Sequence, residues 1–181
     1  MVNSKKKGNR GERGVVNFFK DWTRWDFHRT PSSGGLQWKD DNRIKGDIVP
    51  PEKKIKKFPY VVEVKVRKKN KIEILDFLTG NVKNLIVDFW DQVTSDAKEV
   101  NKVPLLFFRY NGMERGLWLV GMERLLFNWI YDEDGVRTTD HIHINIVHQA
   151  DMVLIRSDEL RRLEAKTHFK DVKAYYKYYN K

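Results

Sequence analysis

Residues 60–66, YVVEVKV, constrain this chain more than any other stretch. Four valines and a tyrosine in seven residues read as a buried β-strand. Side chains alternate along a strand, so Glu63 and Lys65 project from one face while Val62, Val64 and Val66 take the other. An acid and a lysine on one face of an apolar strand must be paired, solvated or bound to something. A surface salt bridge would account for a lone Glu-x-Lys. A second run, "DIV", opens with Asp47, 16 residues before Glu63, and reads as a neighbouring strand. That strand could bring another carboxylate alongside the first. Two converging carboxylates make a hard oxygen site suited to Mg²⁺. A lysine beside them can orient or help deprotonate a water that attacks a phosphate.

Charge supports a phosphate-bearing partner. The chain has 35 Lys and Arg against 25 acids, a formal charge of +10. Residues 52–71 alone hold nine Lys or Arg and two Glu. Lys53, Lys54, Lys56 and Lys57 crowd the turn before the strand, and Lys5, Lys6 and Lys7 lie near the N-terminus. All seven are candidate DNA contacts, with an acidic membrane surface as the second class of partner. There is no cysteine, which excludes disulfides and cysteine-ligated zinc or iron–sulfur centres. No run approaches the ~20 apolar residues of a membrane span. The opening residues are basic and Gly-containing, unlike a secretory leader. The expectation is a cytoplasmic protein with no membrane partner.

The remaining elements follow from spacing. Residues 1–10 read as a flexible basic arm. Val15, Phe18, Phe19 and Trp22 fall at helical intervals. Residues 27–45 read as a loop with one strand, "IEILDFLTG" as a helix stopped by Gly80, and 82–98 as a firmer helix. "VPLLFFRY" and "GLWLVGM" form a hairpin about Asn111-Gly112. "HIHINIV" and "DMVLI" are further strands. Ser157 is a candidate cap for the helix "DELRRLEAK", which leads into the tyrosine-rich tail "AYYKYYNK". This order predicts an α/β (α+β) chain, with a mixed central sheet flanked by helices. The expected organisation is one domain over 11–181, with a core about 11–110 and an extension about 111–181. His141 and His143 share a strand face but lack an evident third ligand, and read as its solvent side. Acids 132–134 and 140 lack calcium-loop spacing.

Asp47…Glu63-Val-Lys65 resembles the D…(D/E)xK signature of the PD-(D/E)XK nuclease superfamily, with Gly46 where the name has Pro. Residues 5–110 resemble one branch of it, the archaeal-type and phage Holliday junction resolvases. "KGNRGERGVVNFF" is similar to that branch's first helix, "RTPSSGG" to its phosphate-facing loop, and "FWDQVTSDAKEVNKVPLLFFRY" to its next helix and strand. The resemblance implies a restriction-endonuclease-like fold. It implies that Asp47, Glu63 and Glu12 bind metal, Lys65 positions the attacking water, and Arg29 and Ser33 contact the phosphate near the cut. Gln92 would reach a metal-bound water. Glu12 has a competing role, favouring the dipole of its helix. For Arg29 and Ser33 the alternative is a solvated loop, and for Gln92 an exposed amide. The implied activity is Mg²⁺-dependent hydrolysis of branched DNA by a homodimer, with Mn²⁺ able to substitute. Two alternatives remain open: a nuclease acting on duplex or single-stranded ends, and a basic nucleic-acid-binding protein without catalysis.

Overall fold

A computed structural model describes residues 4–30, 45–67, 85–131, 141–146 and 150–179. The long first helix, α1 (Ser4–Thr23), leads to a two-stranded ribbon. Its strands are β1 (His28–Arg29) and β2 (Ile48–Val49), paired antiparallel. A 3-10 turn over Glu52–Lys54 then leads into β3 (Tyr60–Arg67). Next come α2 (Leu85–Glu99), β4 (Val103–Tyr110), β5 (Leu119–Glu123) and α3 (Arg124–Tyr131). The chain continues through β6 (His141–Ile146), β7 (Ala150–Arg156), α4 (Ser157–Arg162) and α5 (Ala165–Tyr179).

Among the described residues, five strands form the central sheet in the order β3-β4-β5-β7-β6. Of its pairs, β3 and β4 run parallel, as a crossover through α2 requires; the others are antiparallel. The sheet is therefore mixed, as the order of elements predicted. Alternation along each strand divides the core in two. Val62, Val64, Leu105, Phe107 and Val120 pack with Val15, Phe18 and Phe19 of α1 and Phe169, Val172 and Tyr175 of α5. Val61, Leu106, Phe108 and Leu154 pack with Ile86, Phe89, Trp90 and Val93 of α2. Both faces are thus covered near β3, which lies at a sheet edge.

α1 approaches the sheet closely through Gly11. A Cβ there would stand 2.5 Å from Val66 Cγ2, so a larger residue would push the helix away from β3. The helix begins at Ser4, within the stretch expected as a basic arm. Its lysine-rich first turns hold no Pro, and lysine is a good helix former. Asn9 is also tied to Arg29 across the ribbon.

Other differences are local. Ser157 lies inside α4 rather than capping it, and its hydroxyl accepts a hydrogen bond from the Trp118 N–H at 3.1 Å. The helical run breaks at Leu163, and the Glu164 carboxylate accepts from the N–H groups of Lys166 (3.0 Å) and Thr167 (2.6 Å). The tyrosine-rich tail then forms α5. α3 was not among the expected elements, although its buried Leu126, Phe127, Ile130 and Tyr131 have helical spacing. The expected helix "IEILDFLTG" and the acids at 132–134 and 140 lie outside the described residues.

Candidate active site

The site forms on the free edge of β3. Gly46 makes an isolated parallel bridge to Val62, and the Asp47 N–H donates to the Val62 carbonyl at 2.7 Å. The Val64 N–H, which an edge strand would otherwise leave to solvent, donates to Asp47 Oδ2 at 2.8 Å. The Asp47 carboxylate is thus fixed by the strand that carries Glu63 and Lys65. Thr30 secures the other side: its hydroxyl donates to the Gly46 carbonyl at 2.5 Å, and its N–H to the Asp47 carbonyl at 2.9 Å.

Gly46 is required for this approach. Its φ is +85°, in the region that L side chains rarely adopt. A Cβ at this position would fall 2.5 Å from the Val62 carbonyl oxygen. Proline, with φ near −65°, cannot take this conformation. The departure from the Pro-Asp form of the signature is therefore dictated by the backbone at this edge.

Glu63 and Lys65 share the α2 face of β3, as alternation predicted. Their side chains form an ion pair. It is not a surface pair, because Glu63 is only 4% exposed. The Lys65 ammonium also donates to Gln92 Oε1 at 3.1 Å, and it lies 5.2 Å from the Phe89 ring centroid. Gln92 therefore joins the site from α2. Arg67 stacks on the same ring, with its guanidinium carbon 4.6 Å from the centroid.

The Asp47 carboxyl is pushed up to about 6. Burial is the main cause, and the Glu63 carboxylate adds to it. The Val64 hydrogen bond opposes the rise, Glu12 adds a smaller push, and Lys65 a small counter-effect. Glu12 Oε2 accepts from Arg29 Nε and Nη2, both at 2.5 Å, and Arg29 Nη2 also donates to Asn9 Oδ1 at 2.8 Å. Arg29 is thus committed to Glu12 and Asn9.

Among the described residues, no three His, Asp or Glu side chains stand in a metal-holding cluster. Asp47 and Glu63 nevertheless fit a divalent cation of the Mg²⁺ type. Such an ion commonly takes one or two carboxylates and completes its shell with water and substrate phosphate. A bound cation would offset the cost of the buried Asp47 charge and of the Glu63 carboxylate beside it.

The other candidates lie apart or outside the described residues. Lys53, Lys56 and Lys57 are exposed near the turn before β3, and Lys54 lies over the Trp25 ring. Ser33 falls outside the described residues, as do the side chains of Lys5, Lys6 and Lys7. His141 and His143 are exposed on β6, at the opposite sheet edge from β3. His143 pairs with Asp151 at 2.7 Å, and Arg124 holds the same carboxylate. Thr30, Asn9 and Arg67 were not expected at the site. Thr30 follows Arg29 directly, but its role depends on a fold-level approach that no local pattern announces.

A family model described as "Phage putative PDDEXK endonuclease" matches residues 3–171. The chain belongs to this family of phage PDDEXK endonucleases. The match extends well beyond residue 110, so the family includes the sheet's antiparallel half and the start of α5. Protein D14 of Escherichia phage T5 is 30% identical over 122 residues, covering 67% of this chain and 72% of that protein. No solved structure matches the chain. Membership makes the chain a nuclease by class, and nucleases of this class use divalent metal ions. No helix among the described residues is long and apolar enough to cross a membrane.

Proposed function

We propose that this protein is a metal-dependent DNA endonuclease, with Mg²⁺ as the working ion and four-way junctions as the preferred substrate. The observation that carries the reading is the fixed approach of Asp47 to β3 beside the buried Glu63–Lys65 pair. Asp47 and Glu63 would hold the ion, which supplies charge neutralisation at the phosphate and a more acidic water. Asp47 is set in place by the Val64 N–H, so it needs little reorganisation on binding. The Lys65 ammonium, steered by Glu63 and Gln92, orients the water for in-line attack. The products would be a 5′-phosphate and a 3′-hydroxyl. Glu12 is proposed to complete the site from α1 once Arg29 turns to the phosphate.

The junction preference rests on the likeness of residues 5–110 to the resolvases. Two paired cuts suit a symmetric homodimer. The charge of +10 suits a polyanion, and Lys53, Lys54, Lys56 and Lys57 are proposed backbone contacts. The deciding assay incubates the protein with Mg²⁺ and labelled junction, flap, duplex and single-stranded DNAs. Symmetric nicks in opposed junction strands, absent in EDTA, are the expected result. Equal cutting of linear duplex would move the assignment to an end-processing nuclease. No cutting of any substrate would leave a nucleic-acid-binding protein.

A further inference from the structure

We infer that a second phosphate-binding tract lies across α5 and the lysine-rich turn before β3, at a distance from the catalytic centre. In α5, Lys170, Lys173 and Lys177 are spaced so that at 100° per residue they fall within about 60° of one another. All three are exposed, and the buried stripe of α5 faces away from them. Asp171 is the only acid of α5, and the same geometry puts it well round the helix.

The turn and the helix meet at this face. The Lys173 ammonium donates to the Lys56 carbonyl at 2.5 Å, and Lys102, from the start of β4, reaches the Ile55 carbonyl at 3.4 Å. Lys56, Lys102 and Lys173 thereby surround one cleft whose floor includes Phe58, Pro59 and Tyr176. Among the described residues, Lys56, Lys170, Lys173 and Lys177 make no ion pair with a carboxylate. An ammonium that donates to a carbonyl keeps its full charge. The cleft therefore sets the Lys56 and Lys173 cations beside a largely apolar lining.

A nucleic-acid backbone is the occupant this arrangement favours. Lys170 to Lys177 spans about 10 Å of helix axis at 1.5 Å per residue, room for several phosphates in file. The stripe carries no exposed Leu, Ile or Phe to enter a bilayer, which argues against an anionic membrane. Pro59 lies four residues before Glu63 and six before Lys65, so the cleft is about 13–20 Å along β3 from the proposed catalytic groups. DNA gripped here would be held at a second point beyond the cut.

This tract rests on the reading of the protein as a DNA nuclease, and its test is independent of cleavage. Binding of labelled duplex and four-way junction is measured in EDTA across a salt series. The variants are the Lys170→Ala/Lys173→Ala/Lys177→Ala triple and the corresponding Lys→Arg triple, each checked for an unchanged melting temperature. The alanine triple should flatten the slope of log affinity against log salt by about 0.9 for each phosphate it no longer neutralises, about two to three phosphates in all. The arginine triple should keep the wild-type slope. A wild-type slope in the alanine triple overturns the tract, even if the wild-type protein cuts DNA. So does tighter wild-type binding to phosphatidylserine vesicles than to either DNA. A flattened slope supports the tract even if no cleavage is ever seen.

Discussion

Replacing Asp47 with Asn should stabilise the metal-free protein while removing cleavage. The wild-type carboxyl rises from 3.8 to about 6 on folding, because burial and the Glu63 carboxylate both oppose its charge. An acid whose pKa is raised in the fold binds its proton more tightly there than in the unfolded chain. Its ionisation therefore costs stability. The cost is absent below pH 3.8, grows between 3.8 and about 6, and is complete above that. At about 1.4 kcal/mol per pH unit the ceiling is about 3 kcal/mol. The carboxyl is only partly buried, so solvent screening reduces this to about 1–3 kcal/mol. Asparagine keeps an oxygen for the Val64 N–H, so little is lost in exchange. The assay is thermal melting in EDTA from pH 4 to 8. At pH 8, Asp47→Asn should melt higher by about 2–4 °C per kcal/mol, and the gap should close towards pH 4. Adding Mn²⁺ should raise the wild-type melting temperature and leave the variant unchanged. A variant no more stable than wild type at pH 8, or a gap constant across the range, would refute the reasoning.

Three further outcomes are expected. Gly46→Ala must relieve a 2.5 Å approach to the Val62 carbonyl at a φ of +85°, at a cost of about 1–3 kcal/mol, and it should depress cleavage more than DNA binding because Asp47 moves; unfolding in urea and single-turnover cleavage measure both. Glu12→Gln should lower cleavage by orders of magnitude, with partial rescue at high Mn²⁺. Full activity with only a loss of stability would reduce Glu12 to its ion pair with Arg29. Tyr60→Phe removes the hydroxyl that lies 2.6 Å from His168 Nε2, leaves a buried ring nitrogen without its partner, and should cost about 1–3 kcal/mol by denaturant titration. Burial lowers His168 to about 3, so it stays neutral in the fold; its contribution is full above pH 6.5 and is lost as pH falls from 6.5 towards 3.

The sequence disclosed the side-chain layout of β3 because strand alternation is a local rule. Glu63 and Lys65 had to share a face, and the valines between them identified the strand as buried. The helix read over 82–98 likewise matched α2, whereas Gln92 was named only through the family resemblance. What stayed hidden depends on approach between distant segments. Gly46 reads as one more loop glycine until β3 is seen against it. Thr30 reads as a loop residue until Gly46 and Asp47 are known to lie beside it. The pairing of Arg29 with Glu12 and Asn9 likewise joins segments that no local pattern connects. Ser157 looks like a helix cap because such caps are common, yet Trp118, 39 residues away, claims its oxygen.

The packing of α5 on α1 has a consequence for the timing of synthesis. Trp22 donates its indole N–H to the Leu163 carbonyl at 2.9 Å, and Phe169 meets the rings of Trp22, Trp25 and Phe58. α1 is thus sealed by α5. A ribosome adding about 5–20 residues per second finishes Asp47, Glu63, Lys65 and Gln92 several seconds before α5 leaves the exit tunnel. During that interval the nascent chain carries every proposed catalytic group but leaves Trp22, Trp25 and Phe58 without their α5 partner. Unless a chaperone shields these rings, they are the surface most open to association with a neighbouring nascent chain. Nuclease activity should accordingly begin only once α5 has docked, and a chain stopped before Ala165 should be recovered as aggregate rather than as a smaller enzyme.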